Sequence, residues 1–172
     1  IKSQYVARTF IQPTQALREQ GVHLKLSAVR GVVAGKRVIV VDDSLVRGTT
    51  SKQIIKMLRH AGAKEVHMLI ASPPFKFPCF YGIDISTRSE LMAAHYSVST
   101  MKELIGADSL HFLSVENLIK AINIPDAGDA PYGGLTVAYF NGDYSTPLYD
   151  YEEGYLKSLN EQEKRARKEL KS

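Results

Sequence analysis

The strongest constraint on this chain is residues 38–41, Val-Ile-Val-Val, followed at once by Asp42, Asp43 and a loop that ends Gly48-Thr49-Thr50-Ser51. A continuous run of β-branched residues reads as a strand buried on both faces of a parallel sheet. The carboxylates fall where such a strand ends, and a helical spacing of Ile54, Ile55, Met57, Leu58 and Ala61 follows the loop. In an open α/β sheet, ligands sit outside the carboxyl ends of the strands. The loop is therefore placed for chemistry.

Its residue types suit two kinds of ligand atom. Gly48 lets the backbone turn and approach a ligand without a Cβ in the way. The hydroxyls of Thr49, Thr50 and Ser51, with the unpaired N–H groups of a first helical turn, form a ready anion site that needs no lysine. Asp42 and Asp43 would repel a phosphate, so sugar hydroxyls and a hydrated Mg²⁺ are their natural partners. A sugar phosphate carrying Mg²⁺ satisfies both halves. Residue by residue, a turn with an N-cap before an ordinary helix explains the same stretch equally well.

Taken whole, the stretch resembles the signature loop of the type I phosphoribosyltransferases. Its Asp-Asp-Ser-Leu-Val-Arg-Gly-Thr-Thr form, residues 42–50, is similar to that of the glutamine phosphoribosylpyrophosphate amidotransferase family. A second likeness lies upstream: the family's Gly-Arg-Thr-Phe-Ile flag-loop motif corresponds to Ala7-Arg8-Thr9-Phe10-Ile11 here, with Ala replacing the hinge Gly. The resemblance implies an α/β type I phosphoribosyltransferase fold, a parallel sheet flanked by helices with a flag-loop β-ribbon, here lacking its N-terminal strand or strands. It divides the chain into a partial phosphoribosyltransferase domain, 1–131, and a hairpin-and-helix appendage, 132–172. The flag loop would be 2–35 and the phosphoribosylpyrophosphate loop 38–51.

The same resemblance implies the site. Asp42 and Asp43 would hold the ribose hydroxyls and Mg²⁺, and Arg8 would cover the pyrophosphate; these three are the expected catalytic residues. Ser44, Leu45, Val46, Arg47, Gly48, Thr49, Thr50 and Ser51 would cradle the 5′-phosphate, with Lys2 a further substrate contact. The implied substrates are phosphoribosylpyrophosphate and ammonia. The ammonia would come from an N-terminal glutaminase domain of a longer chain, since residues 1–5 carry no helix or strand start signal and look like the middle of a protein. The implied reaction yields 5-phosphoribosylamine and pyrophosphate, the first committed step of de novo purine synthesis. A homo-oligomer, purine nucleotides as feedback inhibitors and a fragment inactive by itself are also expected. The alternative is a phosphoribosyltransferase-like regulator that binds the same ligands without turnover.

Composition excludes other classes. At 172 residues the chain holds one domain with a proper core, and a net charge of +4 is spread among acidic residues, not gathered in a basic block. Nucleic acid is therefore not an expected partner. No run of about 18 apolar residues suggests a membrane span, and a cytoplasmic location is expected. Cys79 is the single cysteine, so no intrachain disulfide exists. Residues 78–84, Pro-Cys-Phe-Tyr-Gly-Ile-Asp, resemble a segment that supplies one of four cluster thiolates in the family's iron–sulfur branch. One thiolate cannot hold a [4Fe–4S] cluster, and none is expected.

The remaining elements follow from pattern. Alternation at 22–26 predicts a half-exposed strand, and the helix from Gln53 should close at Gly62. Residues 65–71 read as the next parallel strand, containing His67 as a packed residue, with Ser72 and Pro73 as walls of the site at its carboxyl end. Helices are expected over 87–94 and 98–105, a strand over 109–113, and a helix capped by Ser114. Asn141-Gly142 signals a hairpin within 133–149. The last stretch reads as a solvated helix anchored by Tyr155, Leu156, Leu159 and Leu170.

Overall fold

Parallel strand pairing organises the molecule. The computed structural model describes residues 28–82, 85, 87–123, 131–161 and 163–164. A helical turn, α1 (Arg30–Val33), leads into β1 (Arg37–Asp42); α2 (Thr49–His60) returns the chain to β2 (Glu65–Ile70). Two short helices, α3 (Met92–His95) and α4 (Val98–Ile105), precede β3 (Ser109–Phe112). The sheet has three strands in the order β1-β2-β3, with Asp42 opposite Ile70 and His67 opposite Ser109. Beyond it come α5 (Val115–Ile122), α6 (Ala138–Asn141) and α7 (Glu152–Ser158).

The period of two along each strand sorts the side chains. Val66, Met68, Ile70 and Leu110 are buried and share the main core with Ile55 and Leu58 of α2 and with Met101 and Ile105 of α4. Each such side chain contributes about 1.5–3 kcal/mol of burial. Val38 and Val40 lean on the same core from β1. Caps fix the helix ends: Ser97 Oγ accepts from Thr100 N, and Ser114 Oγ accepts from Asn117 N at 3.1 Å. The Ser114 cap and the Gly62 stop, where φ is 94°, agree with the sequence reading.

The opposite face differs from expectation. The 38–41 run reads as buried on both faces, yet Ile39 is 63% and Val41 70% exposed. The reason is positional: β1 is the edge of the sheet among the described residues, and α2 and α4 cover only one face. On the open face His67 Nδ1 lies 2.9 Å from Ser109 Oγ and its Nε2 lies 3.1 Å from Glu65. His67 is thus a packed strand residue.

The hairpin expected around Asn141-Gly142 does not form. No strand occurs between 132 and 161; instead Gly142, at φ 79°, ends α6 in the left-handed conformation. Asn-Gly supplies a positive φ, and both a hairpin turn and a helix C-cap use one. Tertiary contacts choose between them: Tyr155 Oη donates to Gly142 O at 3.0 Å, and Lys76 and Phe77 donate to Tyr139 O. The final helix is docked by Tyr155 and Leu159, both buried, while Leu156 is exposed. Leu170, the expected strand at 22–26 and most of the expected flag loop lie outside the described residues. The part of 2–35 that is described contains α1.

One ion pair ties the strand ends together. Asp108 accepts from Val66 N at 2.6 Å and from Arg59, whose other guanidinium nitrogen donates to Lys64 O at 2.8 Å. The backbone N–H of Val66, then Arg59, holds the Asp108 carboxyl below its ordinary value despite an opposing desolvation effect. A depressed carboxyl contributes stability above its unfolded pKa and loses it as pH falls through the folded one. Asp108→Asn is therefore expected to cost about 1 kcal/mol at pH 7, after allowing for the exposure of the pair. Urea unfolding should show that difference vanishing well below pH 4, where both chains carry a neutral group.

Candidate functional site

The carboxyl ends of β1 and β2 lie side by side, and Ala71 N donates to Asp42 O at 2.9 Å beyond the last register pair. Residues 43–51 leave from this edge. Leu45 is 1% exposed and anchors the loop in the main core. Val46 packs against the Cys79, Ile85 and Leu91 cluster, and its carbonyl accepts from Met92 N at 2.9 Å. Arg47 reaches outward to Glu90 at 2.5 Å. The loop is held at successive points by elements distant in sequence.

Gly48 is the pivot. Its φ is 74°, and a Cβ there would meet Met92 Sδ at 2.8 Å and Ile105 Cγ2 at 3.4 Å. It stands at the N-cap of α2, where no side chain caps the first turn. Lys52 N makes the bond to Gly48 O at 2.9 Å that opens the helix. The N–H groups of Thr49, Thr50 and Ser51 precede it and have no intrahelical acceptor. Together with the helix dipole they favour a negative ligand. The Thr49 and Thr50 side chains are half-buried at this mouth, whereas Ser51 is buried at 3% exposure.

Asp42 and Asp43 begin the loop. Asp43 N donates to Asp42 Oδ1 at 3.0 Å, and Ser44 Oγ donates to Asp43 Oδ1 at 2.9 Å. Burial pushes the Asp42 carboxyl above its ordinary value; the Asp43 N–H opposes this and the Asp43 charge adds to it. Adjacent carboxylates that repel each other, with oxygens to spare, fit the oxygen-rich demand of a hard divalent cation completed by ligand oxygens. Among the described residues there is no cluster of three or more His, Cys, Asp or Glu able to hold a metal alone.

Hydrogen bonds join Asp42, Asp43 and Ser44 at the carboxyl end of β1, and the 48–51 turn opens α2 a few residues further along the same loop. Leu45 and Ser51 turn their side chains into the interior, so any ligand contact from Leu45 would be through its backbone. Lys2 and Arg8 lie outside the described residues. Ser72 and Pro73 stand at the carboxyl end of β2, as expected; Ser72 Oγ is buried with no hydrogen-bond partner among the described residues. Cys79 is buried and accepts from Tyr81 N at 3.3 Å. Sequence reasoning missed Met92 and Glu90, which clamp the loop from a segment whose pattern shows only short helices.

Known proteins resemble this chain in sequence and fold. Over 164 residues the chain is 58% identical to amidophosphoribosyltransferases of Staphylococcus epidermidis and Staphylococcus aureus, a match of 95% of this chain and 33% of theirs. The corresponding protein of Bacillus subtilis is 60% identical over 149 residues, 87% of this chain and 31% of its own. A solved structure of the Bacillus subtilis glutamine phosphoribosylpyrophosphate amidotransferase, complexed with ADP and GMP, superposes with a TM-score of 0.72 over 87% of this chain and 32% of that one. Another, described as the allosteric regulatory enzyme of purine biosynthesis, is 56% identical with a TM-score of 0.73 over 94% of this chain and 35% of that one. No family model matches.

Parallel sheet, acidic strand end and glycine-led loop together define a type I phosphoribosyltransferase fold. Within that class the relatives it matches are amidophosphoribosyltransferases, and the chain spans about a third of their length. No described helix is long and apolar enough to cross a membrane.

Two substitutions probe the loop. Gly48→Ala forces a side chain into a left-handed conformation and against Met92, and should cost about 1–2 kcal/mol. Urea unfolding measures it, and Met92→Ala on top should recover only the contact part. Asp42→Asn should do the opposite at neutral pH. A carboxyl raised on folding penalises the native state when ionised, so its replacement raises the melting temperature above the folded pKa. The gain should disappear below the ordinary value of 3.8, where Asp42 is neutral in both states.

Proposed function

We propose that this chain forms the phosphoribosyl-transfer part of an amidophosphoribosyltransferase. In the reaction, ammonia attacks C1 of phosphoribosylpyrophosphate, a C–N bond forms, the C–O bond to pyrophosphate breaks, and 5-phosphoribosylamine results after proton loss. The observation that carries this reading is the uncapped, glycine-led turn at the start of α2, in the loop that begins with Asp42 and Asp43, in a chain 58% identical to amidophosphoribosyltransferases.

The chemistry asks mainly for positioning and charge stabilisation. Backbone N–H groups of residues 49–51 and the Thr49 and Thr50 hydroxyls bind the 5′-phosphate and fix the ribose. Asp42 and Asp43 accept from the ribose hydroxyls and orient C1, whose oxocarbenium character grows as pyrophosphate departs. Mg²⁺, held through Asp42, Asp43 and ligand oxygens, would neutralise charge on the leaving group. Arg8 would grip the pyrophosphate bidentately, with Lys2 beside it. Water is kept from C1 by the flag segment 2–35. The rest of the longer protein would supply ammonia through a glutaminase domain, in a cytoplasmic homo-oligomer with purine nucleotides as feedback inhibitors. A boundary near residue 131 would separate the transferase core from the final segment.

Asp43→Asn in an enzyme carrying this chain tests the reading. Its carboxylate accepts from Ser44 at the ligand-facing edge of the sheet. Pyrophosphate release with added ammonia should fall by roughly 100-fold or more, while glutaminase activity persists. Ammonia-dependent release at the unsubstituted rate would refute the assignment.

A further inference from the structure

The single helical turn Arg88–Glu90 and the two residues after it make contacts in opposite directions. Arg88 faces the last part of the chain. Its side chain is 8% exposed, lies over the Phe77 ring, and donates to Ser158 O at 2.8 Å and to both carboxylate oxygens of Glu163. Glu90 faces the 43–51 loop and accepts from Arg47. Leu91 is fully buried in the cluster that receives Val46, and Met92 N donates to Val46 O at 2.9 Å. Leu91 N closes the turn on itself by donating to Arg88 O at 3.0 Å. A displacement of Arg88 therefore reaches Glu90 and Met92 through one tight turn of backbone.

The partner of Arg88 is itself fixed. Asn160 N donates to Glu163 Oε2 and Glu163 N donates to Asn160 Oδ1, both at 2.9 Å. That reciprocal pair is a capping box, which sets the start of a helical turn. One carboxylate thus caps a turn and neutralises a buried guanidinium, which is strongly unfavourable when left alone. The Arg47–Glu90 pair at the other end is much more exposed, and an exposed pair holds little by itself. The turn is thus anchored from its buried end. We propose that Arg88 is a positioning residue for the 43–51 loop: Glu163 and Ser158 O hold Arg88, and through it Glu90 and Met92, where these set Arg47 and Val46 just before the Gly48 turn. The kinetic readout of this inference rests on the phosphoribosyl-transfer reading, and its exchange readout does not.

The test uses an enzyme carrying this chain with Glu163→Gln, Glu90→Gln, the two together, or Lys157→Gln, a control that breaks an exposed pair with Glu153 beside Ser158. With added ammonia, Glu163→Gln should raise the KM for phosphoribosylpyrophosphate about fivefold and change kcat by less than about twofold, the pattern of lost ground-state binding. Glu90→Gln should raise KM as well. The double variant should stay within about twofold of the larger single effect, because both substitutions act through one turn. Lys157→Gln should leave KM in place. Amide hydrogen exchange gives the second readout: in Glu163→Gln, peptides from 44–51 and 88–95 should exchange about threefold or more faster, with β2 and α4 unchanged. An unchanged KM in Glu163→Gln, single effects that simply multiply in the double variant, an equal rise in Lys157→Gln, or faster exchange spread evenly over β2 and α4 would each overturn the proposal. An unsubstituted enzyme that releases no pyrophosphate with ammonia would refute the proposed function instead, and the exchange contrast would then decide this inference.

Discussion

The parallel pairing of β1 with β2 is the constraint on which the rest depends. It brings two strand ends to one edge, so Asp42 at the end of β1, Asp43 after it and the Ser72-Pro73 turn after β2 all lie along that edge of the sheet. Parallel strands need a crossover, and α2 provides it. A crossover helix that starts at the carboxyl edge presents its N-terminus there, so the anion-binding turn is a by-product of the topology. Asp108 then locks β2 to the start of β3 and to the far end of α2, so both ends of the crossover are fixed.

A second group of contacts holds the segment after residue 131 against the turn that follows β2. Phe80 meets Tyr144 and Tyr155 with ring centroids 5.2 and 6.1 Å apart, and Tyr144 Oη donates to Pro78 O at 2.5 Å. Arg88 lies over the Phe77 ring and donates to Ser158 O at 2.8 Å and to both carboxylate oxygens of Glu163. Desolvation acts to raise the Glu163 carboxyl, but Arg88 and the Asn160 N–H outweigh it and the net displacement is downward. An almost fully buried guanidinium needs such a partner. Tyr139 of the same segment packs, with Phe75, against Leu91, Ile85 and Cys79, the cluster against which Val46 of the loop rests.

Local chemistry made β1, α2, β2, α4 and β3 legible, because each carries its own period and its own stop. The Val38–Asp43 junction and Gly48 were legible for the same reason: strand end, turn and helix start follow one another without a break. What stayed hidden depends on partners far along the chain. Hydrophobic content alone could not tell that Ile39 and Val41 face outward, since burial on the second face requires another layer. Asn141-Gly142 carries a conformation and not a destination, and Tyr155 decided it. Leu45 looked like a ligand residue by its place in the motif, yet its side chain is the loop's anchor. Met92 and Glu90 had no signal at all, because nothing in a short helical segment says which loop it will touch.

Asp42 and Asp43 are neighbours at the end of a pleated strand, where successive side chains leave in opposite directions. Asp42 shares the parity of Val38 and Val40, and those lean on the core. If β1 slipped by one residue against β2, Ile39 and Val41 would turn inward and could fill the core nearly as well as the valines they displace. At those two positions the burial would hardly change. The acidic pair would notice, because the two carboxylates would exchange faces and Leu45 would lose its hold on the loop. Alternative alignments of this strand are therefore close in the burial of the strand itself and far apart in chemistry, and Leu45, anchored in the core, separates them.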